Sequence, residues 1–221
     1  MKQRLTELPN YTCLETIERS SRASLAAEFK TGDTIRIEVA EVDGKEMFAL
    51  PGQPFEKADP SAFVKGGTMA SGFFASFSTA LFIKESATST FARDEEVNGR
   101  KFSRYDFQVS YLSSGYTISS LNQSVVVAYH GSFWAEGETL DVVHLRNAAD
   151  AIPPALGLRD AEFEIEYQKV RIGRSEALLP RRVGLLVTEF SGVQRRNITT
   201  FSHCHQYASQ SVLTFDEPAR K

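Results

Sequence analysis

Short turn signals interrupt this chain repeatedly, and between them apolar and polar side chains alternate, a pattern that leaves little but an antiparallel sheet to build. Residues 34–40 are the clearest example: Ile35, Ile37 and Val39 fall on one face, Arg36 and Glu38 on the other. Asp43-Gly44 then supplies a tight turn, and residues 46–50 return as the second arm of a hairpin. Further strands are predicted at 105–112, 116–121, 124–134, 140–146, 162–172, 176–179, 183–190, 195–201 and 211–215. Turns such as Ser113-Ser114-Gly115, Glu136-Gly137-Glu138, Gly173-Arg174-Ser175 and Ser191-Gly192-Val193 separate them. Consecutive hairpins imply a meander, and nothing alternates strand with crossover helix as a parallel α/β sheet requires.

One segment has a different period. Across residues 69–83, Met69, Phe73, Phe77 and Leu81 recur four apart, flanked by Phe74 and Phe82, with Ser71, Ser76, Ser78 and Thr79 elsewhere. This predicts an amphipathic helix, with Gly66-Gly67-Thr68 before it and Thr68 as N-cap. Two readings of its apolar stripe stand: a helix packed on a filled sheet, or a lid over a cavity. Pro51, Gly52, Pro54 and Pro60 make 50–60 a loop, and 147–160 reads as a crossing loop with a helical turn. Residues 11–22 suit a strand followed by a short helix. The expectation is a mainly β (α+β) fold over one domain, 1–221. Its core is a single curved antiparallel sheet or half-barrel with an amphipathic helix on the concave face.

The net charge of -3 excludes the basic face that nucleic acid requires. No apolar run reaches the roughly 20 residues of a transmembrane segment, and residues 1–10 contain no signal-peptide h-region. His203-Cys204-His205 is metal-like in composition, but a strand points its middle residue away from the other two, so no metal is expected. No cofactor motif occurs. His130 and His144, on neighbouring predicted strands, offer a conceivable acid–base pair for an enzyme. Glu162, Glu164 and Glu166 form the polar face of a strand, and Asp94-Glu95-Glu96 reads as a loop tip. Cys13 and Cys204 would be free thiols in a reducing compartment and could bridge the first and last parts of the sheet in an oxidising one. Sixteen Phe, seven Tyr and one Trp exceed what a half-wet sheet needs, so either a filled half-barrel or an apolar pocket must absorb them.

Residues 8–19, Leu-Pro-Asn-Tyr-Thr-Cys-Leu-Glu-Thr-Ile-Glu-Arg, resemble the opening of a group of uncharacterised exported bacterial proteins. Tyr129, Gly131-Ser132-Phe133-Trp134, Glu138-Thr139-Leu140, Ile152-Pro153, Tyr167, Val170-Arg171-Ile172-Gly173 and Leu178-Leu179-Pro180 follow a similar pattern. That pattern resembles the outer-membrane lipoprotein-sorting superfamily of LolA/LolB-like half-barrels. The resemblance implies the periplasm or cell envelope, where a Cys13–Cys204 disulfide would form, although no lipobox cysteine is present and a cytoplasmic location stays open. It implies an acyl chain, lipid or lipoprotein held in the concavity. Phe73, Phe74, Phe77 and Leu81 would form the lid, with Phe133, Trp134, Phe163 and Tyr167 lining the cavity. The alternatives are a structural or interaction module with an envelope protein partner, and an enzyme using His130 and His144.

Overall fold

The computed structural model describes residues 10–207 apart from 44, 58, 75, 84 and 85. The strand expected at 211–215 lies outside them. In chain order the elements are β1 (Tyr11–Arg22), β2 (Lys30–Val42), β3 (Lys45–Ala49), α1 (Ser76–Phe82), β4 (Thr88–Val97), β5 (Arg100–Val109), β6 (Thr117–Ser120), β7 (Gln123–Val126), β8 (Ala128–Glu136), β9 (Val142–Asp150), β10 (Leu158–Ile172), β11 (Ser175–Glu189) and β12 (Gln194–Gln206). Ten strands form one open antiparallel half-barrel sheet in the order β3-β2-β1-β12-β11-β10-β9-β8-β5-β4, and β6–β7 is a separate hairpin. Among the described residues no helix is long and apolar enough to cross a membrane.

Most neighbours are consecutive hairpins, as the turn spacing predicts. Two pairings are not. β5 skips the β6–β7 hairpin to pair with β8, and β1 pairs with β12 from Tyr11↔Gln206 to Arg22↔Gln194. The second pairing brings Cys13 beside Cys204, and the two form a disulfide across a sequence separation of 191. Neither cysteine is a free thiol.

Several local expectations are corrected. The helix covers only Ser76–Phe82, not 69–83. Gly72 takes φ +91°, which stops a right-handed helix, and the Glu46 carboxylate accepts the N–H groups of Gly72 (2.8 Å) and Ser76 (3.0 Å). The cap therefore comes from β3, and Thr68 instead lends its carbonyl to the Asn197 side-chain amide at 2.8 Å. No helix follows β1, which stays extended to Arg22. Asp94-Glu95-Glu96 is not a loop tip but part of edge strand β4, turned at Asn98-Gly99 with φ of 53° and 74°. An edge strand exposed on both faces shows no alternation, and its charges discourage pairing with other chains. The expected strand 124–134 divides into β7 and β8, whereas 176–179 and 183–190 join as β11. Pro180 is tolerated there because β12 pairs with β11 only from Arg182 onward.

Residues facing each other across antiparallel strands share a face. One row runs Asn197–Leu185–Phe163–Asn147–Gly131–Phe107, and all but the glycine are buried. Shifted by one residue, Ile198–Gly184–Glu164–Arg146–Ser132–Asp106 runs across the opposite face. The first face carries α1 and the β6–β7 hairpin; among the described residues the second carries no element.

Candidate functional site

On the helix-bearing face the aromatic surplus becomes a ladder of rings, in which Phe107 joins the outer part to the inner one (6.3 Å to both Phe133 and Tyr129) and Phe74, Phe201 and Tyr11 form a separate stack. From the β4 edge it runs Phe91–Tyr105 (5.7 Å between centroids), Tyr105–Phe133 (5.2 Å) and Phe133–Phe82 (5.1 Å). Deeper, Phe77 meets Tyr129 (5.4 Å) and Phe163 (4.9 Å), Phe163 meets Phe73 (4.8 Å), and Phe74 stacks on Phe201 (5.4 Å) beside Tyr11 (4.7 Å). Tyr116 of the segment leading into β6 closes the stack against Tyr129 and Phe163. The deep end is buried, while Phe91 at the other end is 57% exposed. The ladder thus leads from solvent into the core.

Seven of the eight sequence-predicted cavity residues meet here: Phe73, Phe74, Phe77, Leu81, Phe133, Phe163 and Tyr167 all belong to this cluster. Phe73, Phe74 and Leu81 are buried, and Phe77 is half-buried. Trp134 does not join them. Strand alternation turns it to the opposite face, one residue after Phe133. There it donates to Glu95 (3.0 Å) and lies beside His144 and the guanidinium groups of Arg104 and Arg146.

Few polar groups enter the ladder. Ser78 of α1 shares a 2.8 Å hydrogen bond with the Tyr167 hydroxyl, whose pKa burial pushes up to about 12. Glu15 is buried on this face among β1's apolar residues; burial, and then the nearby Glu46, push its carboxyl up to about 8. Asn147 is 3% exposed, and among the described residues neither its Nδ2 nor its Oδ1 has a hydrogen-bond partner. Across from it Gly131 is obligatory: a Cβ there would overlap the Arg146 carbonyl oxygen and come within 2.7 Å of Phe107 Cζ. Sequence reasoning missed Asn147, Glu15 and Glu46. The only available signal was a polar residue at an inward position of an alternating strand, as Asn147 is two after Leu145.

The opposite face is a charge lattice. Glu164 lies 3.7 Å from both Arg146 and Arg182 and 4.0 Å from His144, while Glu166 pairs with Arg181 and Arg182. A broad groove of about 1260 Å³ crosses this face from Thr88 on β4 to Ile198 on β12, with Ala148, Gly184 and Leu186 among its lining. A strongly twisted sheet is saddle-shaped, so each face can be hollow along one diagonal. His130 bonds Asp150 at 2.6 Å, and burial lowers the pKa of His144. The register pairs His130 with Ala148 and Trp134 with His144, so the histidines stand four residues apart along the ladder, roughly 13 Å. They do not reach each other, and the acid–base pair expected from the sequence is not formed. At His203, φ is 53°, and among the described residues no group of three or more metal-ligating side chains converges.

No family model matches the chain, and no curated protein matches it. Among solved structures it is similar to a LolA superfamily protein from Nitrosomonas europaea, with 11% identity over 90% of this chain and 87% of that one, at a TM-score of 0.42. It is also similar to a DUF1329 family protein from Desulfovibrio piger, with 10% identity over 95% and 90% of the two chains, at a TM-score of 0.49.

Proposed function

We propose that the chain is a binding protein of the cell envelope that holds an apolar acyl chain, from a lipid or lipoprotein, against its helix-bearing face, with α1 as a displaceable cover. The observation that carries this is the ring ladder, which begins at exposed Phe91 and continues beneath a seven-residue helix. Two turns of helix are not stable in isolation, so α1 owes its form to the contacts it makes. In the closed form Phe73, Phe77 and Leu81 occupy the place of the ligand. Withdrawing three such side chains costs about 1.5–3 kcal/mol each, and burying an acyl chain returns about 0.8 kcal/mol per methylene. A chain of roughly twelve carbons therefore offsets the exchange with a small surplus, which suits reversible holding. The disulfide supports an oxidising compartment, the periplasm or envelope.

A second reading, an interaction module with an envelope protein partner, draws on the open groove of the opposite face. Native mass spectrometry of gently purified protein separates the two. Under the first reading a fraction of molecules carries added lipid mass, and Phe77→Ala changes the retained fraction. Protein without added mass that also fails to bind a lauroyl-chain probe would leave only the second.

A further inference from the structure

We propose that the ligand held under α1 is an uncharged acyl compound whose amide or ester group is gripped by Asn147, an inference that rests on the binding reading above. Asn147 sits on β9 between Phe163 and Gly131, with Phe77 of α1 against Phe163 at 4.9 Å. A buried amide whose donor and acceptor both go unused costs about 1–3 kcal/mol per group, and leucine would fill the position without that cost. Native proteins rarely leave such a group without a partner, which is then a water, an ion or a ligand. The amide nitrogen donates to a carbonyl oxygen, and the amide oxygen accepts from an N–H or O–H. An acyl amide, or an acyl ester beside a hydroxyl, supplies both at the head of an apolar chain.

The same surroundings exclude an ionised head group. Among the described residues the buried polar side chains include no Lys, Arg or His. Arg19, at the far end of the same row, is engaged by Asp33 through two 2.6 Å bonds and by the Gly66 carbonyl. A fatty-acid carboxylate placed beside Asn147 would meet no buried cation among the described residues, and burying an unpaired charge is far costlier than burying an ester.

Binding of monolaurin (neutral ester), laurate (anion) and decane (no polar group) by delipidated wild-type protein and Asn147→Leu, near pH 7.5, tests this. Wild-type protein should bind monolaurin about tenfold or more tightly than laurate. Asn147→Leu should melt higher than wild type, lose about tenfold in monolaurin affinity and keep decane affinity within about twofold. Equal monolaurin affinity in the two proteins, or equal affinity of the wild type for laurate and monolaurin, overturns the role of Asn147 alone. Failure of the wild type to bind any of the three overturns the binding reading and this inference with it.

Discussion

Phe163 and Glu164 are neighbours in sequence and belong to different molecules in all but covalent terms. Phe163 faces α1, touches the rings of Phe73, Phe77 and Tyr116, and is buried. Glu164 faces solvent and shares its charge among Arg146, Arg182 and His144 at 3.7–4.0 Å. The helix-bearing face is nearly neutral and dry, so any polar group there must find a specific partner or go without. The opposite face spreads many weak pairings over water, where no single one matters much. A ligand gains affinity from the first kind of surface by matching a few unmet groups, and from the second only by displacing partners that already suffice.

Removing the covalent tie is the harshest way to break this contrast. The disulfide joins β1 to β12 and closes a loop of 191 residues, for which chain entropy gives about 5 kcal/mol as an upper figure. Cys13→Ser with Cys204→Ser should lower the unfolding free energy by most of that amount, read in urea titrations with and without reductant. Reductant should destabilise the wild type and leave the double variant unchanged.

Next in size is a direct comparison of the two faces. Phe163→Ala removes a ring from the centre of the ladder and should cost about 3–5 kcal/mol. Trp134→Ala, on the other face and bordered by arginines, should cost no more than about half as much despite the larger side chain. Equal losses in thermal melts would show that the opposite face is as tightly built as the core, and the distinction between the faces would fall.

The titration of Glu15 sharpens the same point. Its folded-state pKa, about 8, lies above the ordinary 4.5, so the folded state holds its proton when the unfolded state has released it. Stability from this group is full below about pH 4.5 and declines as pH rises through 4.5 toward 8. Near pH 6 the decline should reach about 2 kcal/mol, from 1.36 kcal/mol per pH unit above 4.5. Comparing wild type with Glu15→Gln isolates it: the wild type should lose stability relative to the variant across that window, and parallel profiles would deny that Glu15 is buried without a counter-charge.

Much of this contrast was legible in the sequence, because alternation assigns a face once a strand is recognised. The helical period singles out Phe73, Phe77 and Phe82, and the resemblance adds Phe133 and Phe163, but Phe91, Tyr105, Tyr116 and Tyr11 join the rings without any local signal, and Trp134 falls on the other face because it follows Phe133 in one strand. What could not be read depends on contacts between distant segments. Glu46 caps α1 from β3, a relation that no local spacing encodes, and Gly72 truncated a stripe whose period ran on unbroken. The β1–β12 pairing, and with it the disulfide, needs the register of strands separated by nearly the whole chain. Asn147 opens the segment 147–160 that reads as a crossing loop, whereas β9 continues to Asp150 and sets it between Phe163 and Gly131.

The smallest expected effect belongs to the charge lattice, and it is where the two faces differ most in kind. Glu164→Gln removes the carboxylate shared by Arg146, Arg182 and His144, yet each of those contacts is long and more than a third of the Glu164 side chain is exposed. Exposed pairs of this sort are worth about 0–1 kcal/mol and weaken with salt, whose screening length is about 10 Å at 0.1 M. The variant should therefore melt within about 1 kcal/mol of wild type at low salt and coincide with it near 1 M. Because the lattice has several carboxylates for its arginines, Glu166 can take over part of the Arg182 charge, which also blunts the loss. No such substitute exists among the described residues for Asn147, buried beside Phe163, so Asn147→Leu should change melting with a magnitude that salt leaves untouched. A salt-dependent Asn147→Leu difference, or a Glu164→Gln loss that persists at 1 M, would mean that the dry face and the wet face have been assigned the wrong way round.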